Sequence, residues 1–127
     1  MYSIHNPSTA APPASDYAQA LCVEGATRWL NISGQIGITN DGNLAGNSRG
    51  QMEECWRRII ALLDDAGMDK GNLVKITVFL TRGEDVGLYR EIRDKYLDGH
   101  VAASTLLIVS GLADPSLLVE IEAIAAA

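Results

Sequence analysis

The sequence contains few residues suited to covalent or metal chemistry. It has two cysteines and two histidines in 127 residues. Cys22 and Cys55 lie in unrelated apolar contexts, without the spacing of a zinc or redox motif. We predict two small buried thiols in a reducing compartment, with a disulfide or a reactive thiol as the alternative. His5 and His100 are isolated, so no metal site and no metal cofactor is predicted.

Long hydrophobic runs and an excess of basic residues are also absent. The longest apolar stretches, such as Ile59 to Leu63, are far too short to span a bilayer. Lys and Arg number 10 and Asp and Glu number 16, a net charge of -6. This balance disfavours binding to nucleic acid or anionic membranes, although a local basic patch could escape it. The N-terminus resembles no signal peptide, so a cytoplasmic protein with a single domain over residues 1–127 is expected.

The periodicity of apolar residues predicts the order β-β-β-α-β-α-β-β. Each helix begins at a capping-box spacing, Ser48 with Gln51 and Thr81 with Glu84, and the first ends at Gly67. The predicted strands are a short one at Tyr2–Ile4, then Ala20–Glu24 and Arg28–Ser33 with Gly25 and Ala26 in the turn between them, Leu73–Leu80, Ser104–Val109 and Leu117–Ala125.

This order predicts an α+β fold, with two helices on one face of a mostly antiparallel six-stranded sheet. The opposite face would carry Phe79, Leu118 and Ile124 and would remain exposed to solvent in a monomer. An apolar surface of that size usually marks an interface, so we expect self-association.

Polar residues on this uncovered face are the candidates for chemistry. Glu120 and Glu122 lie two apart on a strand, so they share a face at about 7 Å. Each could form a salt bridge across an interface, or a carboxylate could activate water or hold an amine in a cleft between subunits. Tyr17 and Ser33 are further candidates, although such residues are often structural hydrogen bonders.

Five segments together resemble one known family. They fall in the family's order and spacing: Asp16-Tyr-Ala-Gln-Ala20, Ile32-Ser-Gly-Gln-Ile36, Val74-Lys-Ile-Thr-Val-Phe-Leu80, Ala103-Ser-Thr105 and Leu118-Val-Glu-Ile-Glu-Ala-Ile124. They resemble the Rid/YjgF family of reactive intermediate deaminases over nearly the whole chain. The resemblance implies a chorismate-mutase-like fold and a homotrimer with ligand clefts between subunits. It also implies hydrolysis of enamines and imines to 2-oxo acids and ammonia, with no cofactor.

The same resemblance assigns roles to individual residues. Tyr17 would line the cleft, and Ser33 and Gly34 would border the ligand. Glu120 would hold the attacking water or the substrate nitrogen. Thr105 corresponds to a position that contacts ligand through its backbone.

Two positions depart from the family's deaminases. Ala103 stands where they have an Arg that clamps the substrate carboxylate with two hydrogen bonds, and Ala cannot replace it. Arg90 stands where they commonly have Asn. Arg90 could be a surface residue paired with Asp94 or near Glu91. Alternatively, it could reach the cleft and restore a cation that binds the carboxylate.

Three functions therefore remain open. A deaminase with a specialised enamine or imine substrate is the first, and a trimer that binds a small carboxylate metabolite without turnover is the second. RNA cleavage, attached to some family members, is a remote third, because the chain is acidic and has no pair of histidines for general acid and base catalysis.

Overall fold

The computed structural model describes all 127 residues and contains six strands and two α-helices. The predicted order of elements is confirmed. Their bounds are β1 Tyr2–His5, β2 Ala20–Val23, β3 Trp29–Ile36, α1 Ser48–Asp65, β4 Leu73–Leu80, α2 Val86–Leu97, β5 Ala103–Ile108 and β6 Val119–Ala126, with short 3-10 turns at Lys70–Asn72 and Gly83–Asp85.

The strands form two sheets, so the prediction of one six-stranded sheet is wrong. A four-stranded sheet has the order β3-β6-β4-β5, and a separate ribbon pairs β1 with β2. The predicted turn at Gly25 does not pair β2 with β3, because β2 runs antiparallel to β1 and β3 runs antiparallel to β6. In the larger sheet β4 and β5 are parallel and the other pairs are antiparallel. Helix α2 makes the crossover that a parallel pair requires.

The N-cap residue of helix α1 lies one position earlier than predicted. Asn47 is the N-cap, and its side chain accepts a hydrogen bond from the Gly50 N–H at 2.8 Å. Ser48 instead donates to Asp85 Oδ2 at 2.9 Å, which ties the start of α1 to the segment before α2. The predicted end is confirmed: Gly67 has a φ of 71°, and the next N–H, of Met68, donates to the Leu63 carbonyl at 2.8 Å.

Helix α2 lacks the predicted cap at Thr81. A 3-10 turn precedes it, and no side chain caps its first turn. Its inner side is fully covered, with four buried residues at helical spacing: Tyr89, Ile92, Arg93 and Leu97.

One core lies between the helices and the four-stranded sheet. Trp56, Ile59 and Leu63 of α1 are fully buried there against alternate residues of β4 and β6. Leu73 at the start of β4 is also fully buried, and a register shift follows it at the β4–β6 pairing. Neither helix combines the length and apolar character needed to cross a membrane.

The opposite side of the sheet, which we call the open face, has no helix over it. Its central rows are set by register: Phe79 pairs with Glu120 and Leu107, and Thr77 pairs with Glu122 and Thr105. The third row joins Lys75 to Ile124 and Ala103. Within one chain, Phe79, Leu118 and Ile124 are half-buried, while Leu107 is exposed.

The two cysteines differ in environment. Cys55 is buried as predicted, and burial raises the pKa of its thiol to about 12, so it packs as a neutral group. Cys22 is exposed, and the prediction that it is buried is wrong. Its neighbours Leu21 and Val23 are half-buried, so by alternation Cys22 lies on the solvent-facing side of the ribbon that β2 forms with β1.

Candidate functional site

A carboxylate lies against a glycine at one edge of the open face. A bulge in β3 places Ser33 and Gly34 together between the residues that pair with β6. A Cβ at Gly34 would overlap the Glu120 carboxylate, with Glu120 Cδ 2.8 Å away. Glycine is therefore required for Glu120 to occupy this position. Glu120 is half-buried and takes part in none of the chain's seven ion pairs.

A cation lies at the other edge of the open face. Lys75 of β4 is the register partner of Ala103 in β5, and its Nζ donates to Thr105 Oγ1 at 2.7 Å. Lys75 also belongs to no ion pair. Sequence reasoning missed it, although its signal was present: a lysine among apolar residues of a strand, on the same face as a predicted site residue.

The two edges are too far apart for one small ligand. Glu120 and Thr105 lie two strands apart and two residues out of line, so their Cα atoms are about 12 Å apart. The Cα atom of Ala103, four residues out of line, lies about 16 Å from that of Glu120. Within one chain, the structure brings Gly34 and Glu120 together and leaves Ala103 and Thr105 apart from them.

Tyr17 and Arg90 meet in a different place, on the helix side of β5. Ile76 and Val78 pair with Ser104 and Leu106, and both β4 residues belong to the core, so Ser104 and Leu106 face the helices. A cavity of about 190 Å³ opens here, which we call the helix-side cavity. It is lined by Tyr17, Tyr89, Arg90, Arg93, Ser104 and Leu106.

The segment that carries Tyr17 is fixed to the edge of β5. The N–H of Ala18 donates to the Ala102 carbonyl at 3.0 Å, and Ala18 forms a parallel bridge with Ala103. The Tyr17 hydroxyl accepts a hydrogen bond from the Ala14 N–H at 3.2 Å. Tyr17 thus forms one wall of the helix-side cavity and is half-buried there.

Arg90 does not form the predicted surface pair. Asp94 is bound to Arg93 at 2.9 Å, and Glu91 lies 3.4 Å from Arg49. The Arg90 guanidinium takes part in no ion pair, is half-buried and lines the helix-side cavity. Its cation is therefore available to a ligand there.

Arg93 is the largest departure from expectation on this helix. Arginine side chains are mostly exposed in folded proteins, yet Arg93 is 3% exposed. Its guanidinium donates to Ser15 Oγ at 2.8 Å and to Asp94 Oδ1 at 2.9 Å, which satisfies the charge on burial.

Tyr89 also escaped sequence reasoning as a polar group. It is fully buried and lines the helix-side cavity, and its hydroxyl has no hydrogen-bond partner. Burial raises the pKa of this hydroxyl above its ordinary value, so it stays a neutral donor. The available signal was a tyrosine at an apolar helix position with arginines one and four residues later.

The largest cleft of the chain lies elsewhere. It has a volume of about 590 Å³ against the second half of α1 and includes His100, but none of the predicted site residues. His100 Nε2 is already engaged with the Leu73 carbonyl at 2.8 Å. No group of three or more His, Cys, Asp or Glu side chains is arranged to hold a metal ion.

Comparison with known proteins agrees with the fold and the motifs. The family model described as Endoribonuclease L-PSP matches residues 8–127. The rat protein named 2-iminobutanoate/2-iminopropanoate deaminase is 35% identical over 122 residues, which cover 93% of this chain and 86% of that protein. A RutC family protein of Aquifex aeolicus is 34% identical over 87 residues, 68% of this chain and 65% of its own length.

A solved structure shows the same fold. The Rid-family protein YyfB of Yersinia pestis superimposes with a TM-score of 0.90 at 23% identity, covering 99% of this chain and 98% of that one. Together with the match over residues 8–127, these likenesses show that the chain belongs to the Rid/YjgF family, whose family model is described as Endoribonuclease L-PSP.

Proposed function

We propose that this protein is a homotrimeric, RidA-like enzyme that hydrolyses an enamine or imine intermediate at clefts between subunits. The observation that carries the proposal is the half-buried Glu120 carboxylate, which lies against Gly34 with no ion-pair partner. A carboxylate in this state is suited to accept a proton from a water molecule. The name of the rat relative, an iminobutanoate and iminopropanoate deaminase, supports the same chemistry.

The separation of the two edges supports a site shared between copies. Glu120 with Gly34 forms one half, and Lys75 with Thr105 forms the other half about 12 Å away. Contact of the open face with a second copy would cover its apolar residues and bring the Glu120 half of one subunit to the Thr105 half of the next. Three copies give three equivalent clefts.

The hydrolysis requires few protein groups. On the protonated imine, Glu120 accepts a proton from water as the oxygen attacks the C=N carbon, which gives a neutral carbinolamine. Glu120 then returns that proton to the nitrogen; the C–N bond breaks and ammonia leaves as the carbinolamine hydroxyl gives its proton to Glu120 and becomes the C=O oxygen. An enamine first takes a proton on carbon to become the imine. Positioning of the water and the substrate accounts for most of the acceleration.

Recognition of the substrate carboxylate differs from that of the Arg-bearing deaminases. Ala103 supplies no charge, and the neighbouring cation on the open face is Lys75. An ammonium is a compact point charge, without the planar fork that holds a carboxylate by two bonds. We therefore expect a specialised substrate and weaker selection for simple 2-imino acids.

The test is hydrolysis of 2-imino acids generated in place by an amino-acid oxidase, with semicarbazide trapping the remaining imine. We expect the wild type to compete with the trap and Glu120→Gln to lose that competition. Glu122→Gln is the matched control, because Glu122 is the exposed carboxylate two residues along the same strand. Equal loss in both variants, or full activity in Glu120→Gln, would contradict the assignment.

A metabolite-binding trimer without turnover is the alternative, and Ala103 favours it because the clamping residue is missing. Tight binding of a small carboxylate by a protein that accelerates no imine hydrolysis would select it. RNA cleavage, named in the family description, remains a remote candidate for a chain of net charge -6.

A further inference from the structure

We propose that Gln35 and Arg58 are positioning residues for Glu120, because they hold the bulge of β3 against which the Glu120 carboxylate lies. Both act from the helix side of the sheet, opposite to the open face. The inference rests on the proposed hydrolysis, in which Glu120 accepts a proton from water. It deepens that proposal by naming the contacts that set the place of the carboxylate.

The bulge controls the space that is open to Glu120. The pairing of β3 with β6 skips two residues, Ser33 and Gly34, where β6 has only Glu122 between its paired residues. The Glu120 Cδ atom lies 2.8 Å from the place that a Cβ at Gly34 would take. A rotation of this backbone would therefore press on the carboxylate or open a gap beside it.

The Gln35 side chain holds the bulge from the helix side. The residue is 8% exposed, and its register partner Ile121 belongs to the core. Its Nε2 donates to the Ser33 carbonyl at 2.9 Å. Because a peptide group is planar, a hydrogen bond on this carbonyl restrains the whole peptide between Ser33 and Gly34. Gln35 therefore restrains the residue against which the carboxylate lies.

Arg58 of α1 fixes the orientation of the Gln35 amide. Its Nε donates to Gln35 Oε1 at 3.0 Å. A guanidinium can only donate, so this contact leaves Nε2 as the group that faces Ser33. Arg58 is half-buried and takes part in none of the chain's ion pairs. Cys55, also on α1, donates from Sγ to the Gln35 main-chain carbonyl at 3.2 Å, so the helix holds Gln35 at two points.

Gln35→Glu separates positioning from a purely structural role. A carboxylate at this position still accepts from Arg58 and gains an ion pair with it, but it cannot donate to the Ser33 carbonyl. We expect the unfolding temperature to stay within about 4 °C of the wild type. The kcat/KM for imine hydrolysis should fall by about tenfold or more, since a misplacement of about 1 Å can cost a hundredfold. Wild-type kcat/KM in Gln35→Glu would overturn the proposal.

Substitution of Arg58 tests the next contact. Arg58→Met removes the donor to Gln35 Oε1, and we expect kcat/KM to fall by about tenfold. Arg58→Lys, which can still donate to this oxygen, should recover most of the activity. Arg57→Met is the matched control, because the neighbouring Arg57 donates to Glu54 and Asn40 instead. Equal losses in Arg58→Met and Arg57→Met would overturn the proposal.

A second readout does not require activity. In the NMR spectrum of the ¹⁵N-labelled protein, Arg58→Met should shift the amide signal of Gly34, and Arg57→Met should leave it in place. An unshifted Gly34 signal in Arg58→Met would overturn the proposal, whatever the assay shows. Failure of the wild type to hydrolyse imines would overturn the proposed function, whereas a Gly34 signal that moves with Arg58 would still support the contacts that hold Glu120.

Discussion

The two sides of β5 differ in how complete their candidate sites are. On the helix side, Tyr89 and Arg90 of α2 meet Ser104 and Leu106 in a cavity formed by one chain. On the open face, Thr105 beside Lys75 lies about 12 Å from Glu120, so the site proposed there would be completed only by a second copy. Because side chains alternate across a strand, adjacent residues of β5 face the helix-side cavity and the open face in turn. A substitution on one side should therefore leave the other side unchanged.

The largest effect on the open face is expected from Gly34→Val. The new side chain would occupy the position of the Glu120 carboxylate. Displacement of a reacting group by about 1 Å can cost a hundredfold in rate, so we expect imine hydrolysis to fall by about a hundredfold or more.

Gly111→Ala is the control for this change, because a Cβ at Gly111 meets nothing within 4 Å and its backbone is not left-handed. Retention of activity in Gly34→Val, measured with the oxidase-coupled assay, would show that Glu120 does not act from the position described.

Reversal of the charge at Lys75 tests whether this cation contributes to substrate recognition on the open face. Lys75→Glu replaces the open-face cation by an anion beside Thr105, and we expect a loss of about a hundredfold in kcat/KM for a carboxylate substrate. Lys75→Arg, which keeps the charge, should retain most of the activity. Equal values for the two variants would argue that the charge of Lys75 takes no part in recognition.

A smaller effect is expected at the start of α2. Asp85 accepts hydrogen bonds from Ser48 Oγ at 2.9 Å and from Arg82 Nε at 3.0 Å. Asp85→Asn weakens both, and we expect the free energy of unfolding in urea to drop by about 2 kcal/mol. The exposed Asp114 offers the control Asp114→Asn, with a change within about 0.5 kcal/mol.

This variant also bears on the two sides of β5. Asp85 holds the start of the helix that packs on the helix side of β5, so the stability of the fold should decline more than imine hydrolysis on the open face. An equal decline of the two would indicate that α2 also supports the open face.

Periodicity in the sequence was sufficient for the elements but not for their pairing. Leu73–Leu80 was predicted with the bounds that the structure has, because alternation of β-branched and apolar residues is a local signal. The partners of β2 and β3 were not predictable in this way. Each follows from contacts with distant strands, β1 and β6, rather than from the turn at Gly25.

The residues of the candidate site likewise include some that the sequence predicts and others that it does not. Alternation correctly assigned Glu120 and Phe79 to one face, and the structure pairs them in register. The burial of Arg93 was not predictable from local periodicity, because it depends on Ser15, a residue 78 positions away in sequence. The missing partner of the Tyr89 hydroxyl likewise depends on packing and has no signature in the sequence.

The central claim, a site completed by a second copy, is tested most directly by complementation between subunits. Glu120→Gln and Lys75→Glu chains, each inactive alone, would be co-expressed with different tags and purified as mixed oligomers. If the two halves come from different chains, every trimer that contains both variants has one of its three clefts with both wild-type halves, so imine hydrolysis should return to about a third of the wild-type rate. No recovery at any mixing ratio would show that both residues act within one chain, and it would contradict the account.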